Sequence, residues 1–217
     1  MLITTKKPWS EVQEMAADYQ TLGIVGCGDC CAACQTGGSE QIKEAAAKLT
    51  EESKKEIVFS FTCEAPCDQR IIRRDLRRVS KELSQVDALV VMTCGIGVQS
   101  LAHVVDKPLI PTNNTQFPGS AARLGAFYEY CSTCGDCVLG ETAAICPVTM
   151  CPKGLLNGPC EEVAEGMCDV FGYQKPCAWT DIYARLKARN STDYLQKVRP
   201  ARDWSSRMSP RQVVWAR

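Results

Sequence analysis

The chain has 217 residues, enough for one large domain or a medium domain with a small one. Basic and acidic side chains balance at 25 each, so no global charge draws it to nucleic acid or a membrane surface. Apolar runs such as Ala88–Met92 are too short to span a bilayer, and the N-terminus lacks the apolar stretch of a secretory signal; a cytoplasmic protein is expected.

Residues 10–22 read as an amphipathic helix with Ser10 as its N-cap. A short apolar run over 22–26 ends at Cys27 and predicts a buried strand. Residues 39–55 are charged and helix-rich, with Ser39 as cap, and 56–62 alternate with β-branched residues, which predicts a second strand. Residues 69–85 predict an arginine-studded helix, 88–93 a third strand, 99–105 a short helix and 108–112 a fourth strand. Alternation of this kind predicts a parallel, three-layer, Rossmann-like α/β domain over residues 1–125. Gly26-Cys27-Gly28 and Gly95-Ile96-Gly97 hint at a nucleotide loop, but neither completes G-x-G-x-x-G.

From residue 126 the periodicity disappears. Eight cysteines fall within residues 131–177, punctuated by glycine and proline. Residues 126–190 therefore read as a small irregular domain that ligated metal must hold together, with a terminal helix over 179–188. Residues 191–217 form a basic tail; 185–217 carry nine basic and two acidic residues, with Trp204 and Trp215. Such a tail reads as solvated coil or as a docking surface for a partner.

Fifteen cysteines need a chemical reason. In a reducing compartment dense cysteine means metal, and an odd total fits poorly with a disulfide framework. The single histidine, His103, argues against a Cys/His zinc protein and reads as a packing residue on a helix face. Cys27, Cys63 and Cys94 each fall where a predicted strand ends, with Cys30, Cys34 and Cys67 close behind. The carboxyl ends of strands form the ligand crevice of open α/β sheets, so thiols from three distant segments gather at one edge. A thioredoxin-like role for Cys27 and Cys30 is the competing reading there. In the second half, Cys131, Cys134 and Cys137 form a C-x-x-C-x-x-C run able to hold three corners of a cubane. Cys146, Cys151, Cys160, Cys168 and Cys177 complete eight, arithmetically two four-thiolate sites; four-cysteine zinc is the alternative. Four thiolates per [4Fe–4S] cluster allow about three clusters in the chain, with zinc as a candidate at one site.

These residues also carry a resemblance. Cys134-Gly-Asp-Cys137-Val-Leu-Gly-Glu-Thr, Ile145-Cys146-Pro147-Val148, Lys153-Gly-Leu-Leu-Asn-Gly-Pro-Cys160, Gly166-Met-Cys168 and Cys177-Ala-Trp179 resemble the C-terminal cysteine domain of the MetV family. Gly26-Cys27-Gly-Asp-Cys30 with Cys34, Gly37-Gly38, Cys67 and Cys94-Gly-Ile-Gly-Val-Gln99 extend the likeness over about residues 20–190. That family supplies the small subunits of methylenetetrahydrofolate reductases in one-carbon metabolism and the reductive acetyl-CoA pathway. The resemblance implies a non-catalytic subunit that relays electrons through [4Fe–4S] clusters to a flavin-containing (β/α)₈ partner. The donor would be ferredoxin or a heterodisulfide-reductase-like complex. The alternative is a zinc-stabilised structural adaptor of the same complex. Two departures stand out: Glu161-Glu162 replace the family's glycine pair, and Cys31 and Cys63 are additional to its pattern, hence ranked last as ligands.

Overall fold

The computed structural model describes residues 1–214, so Trp215 and Arg217 of the basic tail lie outside the described residues. The chain divides into two compact units, Met1–Tyr128 and Glu129–Arg217.

The first unit runs β1 (Leu2–Lys6), α1 (Trp9–Met15), β2 (Thr21–Cys27), α2 (Cys30–Ala33), α3 (Ser39–Glu51), β3 (Glu56–Cys63), α4 (Gln69–Arg78), α5 (Ser80–Gln85), β4 (Ala88–Met92), α6 (Gly95–Ala102), β5 (Leu109–Pro111), β6 (Asn113–Arg123) and β7 (Ala126–Glu129). Strands β3-β2-β4-β5 form a parallel sheet in that order. Both faces of β2 and β4 are covered, which is why they read as unbroken apolar runs and not as alternating ones. On one face Val12 of α1 and Ile42, Ala45 and Leu49 of α3 pack on Leu22, Ile24, Val90 and Ile110. On the other, Ile72 and Leu76 of α4 and Leu101 of α6 pack on Val25, Phe59, Leu89 and Val91. Helices thus cover both sides of the sheet, as the alternating pattern predicts.

The crossover after β2 lies on the first face and that after β4 on the second. The chain therefore leaves two neighbouring strands in opposite directions, and a crevice opens between their carboxyl ends. Cys27 closes β2 and Cys94 follows β4, so both stand at that crevice.

Several boundaries differ from the sequence reading. Helix α1 stops at Met15, and Pro8, not Ser10, precedes it as cap. The Asp87 carboxylate accepts the N–H groups of Gln20 and Thr21 at 2.9 and 2.8 Å, pinning the start of β2 where periodicity alone would continue the helix. Gly38, not Ser39, caps α3. The expected helix over 69–85 is two: Val79 leaves helical backbone between α4 and α5, and Leu76, Val79 and Leu83 all reach the same core. Helix α6 starts at Gly95, four residues earlier than expected, with Cys94 as its cap. A Cβ on Gly97 would lie 2.6 Å from Thr93 Oγ1, so Gly97 serves the close packing of the helix on the strand end.

A second, antiparallel sheet, β1-β6-β7, escaped the sequence reading. Its residues are polar and mostly exposed, with Pro118 inside β6, so neither alternation nor apolar content marks it. Ile3, Thr4 and Asn113 are its buried anchors, and Thr4 Oγ1 lies 2.6 Å from Thr36 Oγ1.

The second unit has one single-turn helix, α7 (Pro147–Met150), and one longer helix, α8 (Ala178–Ala188). Contrary to the expectation that it lacks any core, Ile182, Leu186 and Trp179 of α8 bury against Ala143 and Cys177, with Ile145, Leu155 and Val163 alongside. Trp179 Nε1 donates to the Leu155 carbonyl at 3.0 Å, giving the indole its polar partner. The tail does not float free: Asn157 exchanges two hydrogen bonds with the Arg199 backbone, 2.7 and 3.0 Å, and the Arg199 guanidinium pairs with Glu141. Among the described residues, no helix is long and apolar enough to cross a membrane.

Candidate metal centres

All fifteen cysteines are free of disulfides. In the first unit, Cys27, Cys31 and Cys94 meet as a buried group at the crevice between β2 and β4. The Cys31 thiol hydrogen-bonds both neighbours, and this draws Cys27 and Cys94 down to about 6. Cys31 itself is pushed far up, first by its bonds to Cys27 and Cys94 and then by burial. Backbone N–H groups add to the effect: those of Cys31 and Asp29 point at Cys27, and those of Gly97 and Ile96, in the first turn of α6, point at Cys94. This geometry favours the thiolate at Cys27 and Cys94 and keeps the proton on Cys31.

The other expected ligands stand around it. Cys67 is exposed, yet close enough to Cys94 and Cys27 for their charge to raise its thiol after burial has done so. Cys30 and Cys34 flank α2 beneath β1: the Leu2 backbone N–H faces Cys30, and Cys34 Sγ lies 3.8 Å from the Leu2 carbonyl. Leu2 also packs on the buried trio, so the N-terminal strand roofs the site. Cys63 points elsewhere: buried in the core under α4, beside the Asp75 carboxylate, its thiol is pushed up to about 12, chiefly by burial.

In the second unit, Cys131, Cys134 and Cys137 share one loop, which turns through left-handed backbone at Thr133 (φ 52°) and Gly135 (φ 87°). Cys151, Cys160, Cys168 and Cys177 line one small cavity with Trp179 and Leu155, a partition the sequence leaves open. Cys168 and Cys177 are buried and held by backbone hydrogen bonds to Lys175 and Gly166, 2.9 and 2.8 Å. Beside Cys160, Lys153 Nζ lies 3.5 Å from the sulphur and bonds Asp169 and Glu162 at 3.0 and 3.1 Å. Glu162, one of the residues departing from the MetV pattern, therefore has a defined partner. Cys146 caps α7 and contacts Thr149 at 3.6 Å.

The donor chemistry suits a soft metal. Sulphur dominates, His103 is exposed at the end of α6 and not packed as expected, and Asp169 and Glu162 are taken up by Lys153. Among the described residues, no three histidine, cysteine, aspartate or glutamate donors are arranged to hold one metal ion. A cluster is ligated at the corners of a cage, so its thiolates stand around a volume and need not converge on a point. The cysteines about the crevice and those about the cavity are the residues that would stand around such a cage.

The molecule at this point is an α/β protein carrying thiol groups at a sheet edge, joined to a cysteine-rich unit with a small core. Residues 110–205 match a family model described as Methylene-tetrahydrofolate reductase C terminal, a stretch that contains all eight cysteines of the second unit. The match links the chain to methylenetetrahydrofolate-reductase-type proteins. Comparison with curated proteins and with solved structures gives no match.

Sequence reasoning missed Cys31 as a member of the sheet-edge group, and Arg202, whose guanidinium reaches Cys134 Sγ at 3.1 Å. The spacing of Cys31 four residues after Cys27 was the available signal for the first. For Arg202, buried from a polar tail, the sequence carries none.

Proposed function

We propose that this chain is the electron-transfer subunit of a methylenetetrahydrofolate reductase complex, holding about three [4Fe–4S] clusters and passing electrons to a flavin-bearing (β/α)₈ partner. The observation that carries the reading is the gathering of Cys151, Cys160, Cys168 and Cys177 around one cavity inside the stretch matched by the reductase family model. Apart from Cys63, which turns into the core, the remaining thiols fall into two further groups. Cys131, Cys134 and Cys137 share a loop, with Cys146 as the arithmetical fourth ligand. Cys27, Cys30, Cys34, Cys67 and Cys94 stand at the sheet edge, where Cys31 joins them.

When bound, such clusters supply one-electron redox chemistry that no side chain offers. The chain's own contribution is the surroundings. Buried Cys27 and Cys94 are drawn towards the thiolate by the Cys31 thiol, and N–H groups of α6 bond the Cys94 sulphur. Leu2 and Trp179 keep water off two of the groups. Hydrogen bonds to sulphur and exclusion of solvent set a cluster's potential. Folate reduction is assigned to the partner's flavin, where the hydride chemistry belongs to the cofactor. The electron donor is assigned to the ferredoxin class or to a heterodisulfide-reductase-like complex.

Zinc is the second reading, favoured by the same four-cysteine cavity, because four thiolates also make a closed structural zinc site. That version is a redox-silent adaptor. Anaerobic purification with iron, sulphide and zinc analysis separates the two. About twelve irons per chain, with matching sulphide, are expected from three four-iron clusters. Zinc without iron would leave the adaptor as the account.

A further inference from the structure

We propose that Arg202 is the counter-cation of the metal group held on the Cys131, Cys134 and Cys137 loop, a positioning residue that raises that group's reduction potential. The inference rests on the cluster reading above and goes beyond it by assigning a residue and a direction.

The observation is a buried, half-satisfied guanidinium. The Arg202 side chain is 3% exposed. Its Nη2 donates to Cys134 Sγ at 3.1 Å and to the Asp136 carbonyl. The ion pair to Asp136 Oδ2 is long, 3.6 Å, and that carboxylate is largely exposed. Among the described residues, Nε and Nη1 have no hydrogen-bond partner, and neither does the buried hydroxyl of Ser132 on the same loop. Leaving buried donors unpaired is costly, so native proteins rarely do it without a reason.

Among the described residues, Nε and Nη1 face no acceptor, and the Asp136 carboxylate meets only Nη2. A guanidinium donates only, and it matches anions through its planar fork. A thiolate-ligated iron–sulphur cluster is a net anion whose thiolate and sulphide sulphurs accept hydrogen bonds. Taking up one electron adds a further negative charge, so a cation beside it favours the reduced form.

The tail is built to hold Arg202 there. Ser206 Oγ donates to the Cys134 carbonyl at 3.3 Å, and Arg211 Nη1 to the Thr133 carbonyl at 2.7 Å. The guanidinium also stands 5.2 Å over the Trp204 ring, which fixes its plane.

The test compares the full-length chain with Arg202→Gln and Arg202→Lys, each purified anaerobically, by dithionite redox titration followed by low-temperature EPR. Cys134→Ser marks the signal belonging to this loop. Arg202→Gln is expected to shift the reduced-to-oxidised ratio of that signal about tenfold towards oxidised at fixed potential, ~59 mV for one electron. Arg202→Lys, which keeps the charge, should retain most of the wild-type potential, and the other signals should stay put. An unmoved potential in Arg202→Gln overturns the proposal, as do equal shifts in both variants, which would mark a packing role. If Arg202→Gln fails to retain iron, the lysine variant decides: retention supports a need for cationic charge, and loss in both rejects it. A wild-type chain without iron or EPR signal would instead bring down the cluster reading itself, and this inference with it.

Discussion

Cys31 shows how one atom reorders a site. Its thiol bonds both Cys27 and Cys94, and removing it by Cys31→Ala should raise both from about 6 towards the ordinary thiol value of about 8.5. Ultraviolet titration of thiolate absorbance in metal-free protein would read this as lost thiolate at pH 7; an unchanged curve would dissolve the trio. Asp75, 7% exposed, is a second residue-scale case. The Arg74 guanidinium first, then the Cys63 thiol and the charge of Arg78, hold its carboxyl below the usual range. A carboxylate with a lowered folded pKa stabilises above its unfolded value, about 3.9, and that contribution is lost as pH falls through the folded pKa. Asp75→Asn should therefore cost ~1 kcal/mol at pH 7 by chemical denaturation. The difference from wild type should close under strongly acidic conditions.

At the scale of elements, the sheet-edge group depends on backbones in close approach. A Cβ on Gly37 would lie 1.9 Å from the Met92 carbonyl oxygen and 3.0 Å from the Cys31 side chain. The Gly37 carbonyl in turn accepts the Cys27 N–H at 2.9 Å. Gly37→Ala must push the loop off β4, and overpacking of this kind costs ~1–3 kcal/mol. It should also lower the metal content of the first unit while leaving the second unit's unchanged; metal loss from both would point to general unfolding. In the second unit, serine replacement of Cys160 or of Cys168 should abolish one and the same EPR signal, because both sulphurs line one cavity. Loss of different signals would break that partition. Strands β2 and β4 were legible from their apolar runs and β3 from its alternating, β-branched residues. The β1-β6-β7 sheet was not, because its stability comes from pairing across more than a hundred residues and from three buried anchors.

For the whole molecule, the two units differ in what holds them. The first has two hydrophobic cores on a four-stranded sheet; the second has one small core around α8 and long irregular loops. Small units with sparse cores need metal or cross-links, and disulfides are absent among the described residues. Stripping metal from the whole chain should therefore expose the amides of 129–177 to hydrogen exchange while β2 and β4 stay protected. Uniform loss of protection would mean that metal holds the first unit together as well, and no loss that neither unit leans on it.

By itself the sequence determined the α/β class of the first unit, its four parallel strands and the placing of cysteines where those strands end. Each follows from local periodicity, from composition or from the position of a cysteine at the end of an apolar run. Tertiary structure alone decided that Cys31 joins Cys27 and Cys94, that Cys63 turns into the core, that four of the eight later cysteines share a cavity, and that Arg202 returns to Cys134. Those are contacts between residues remote in sequence or facing one way out of several. Spacing along a chain does not encode direction in space; packing does.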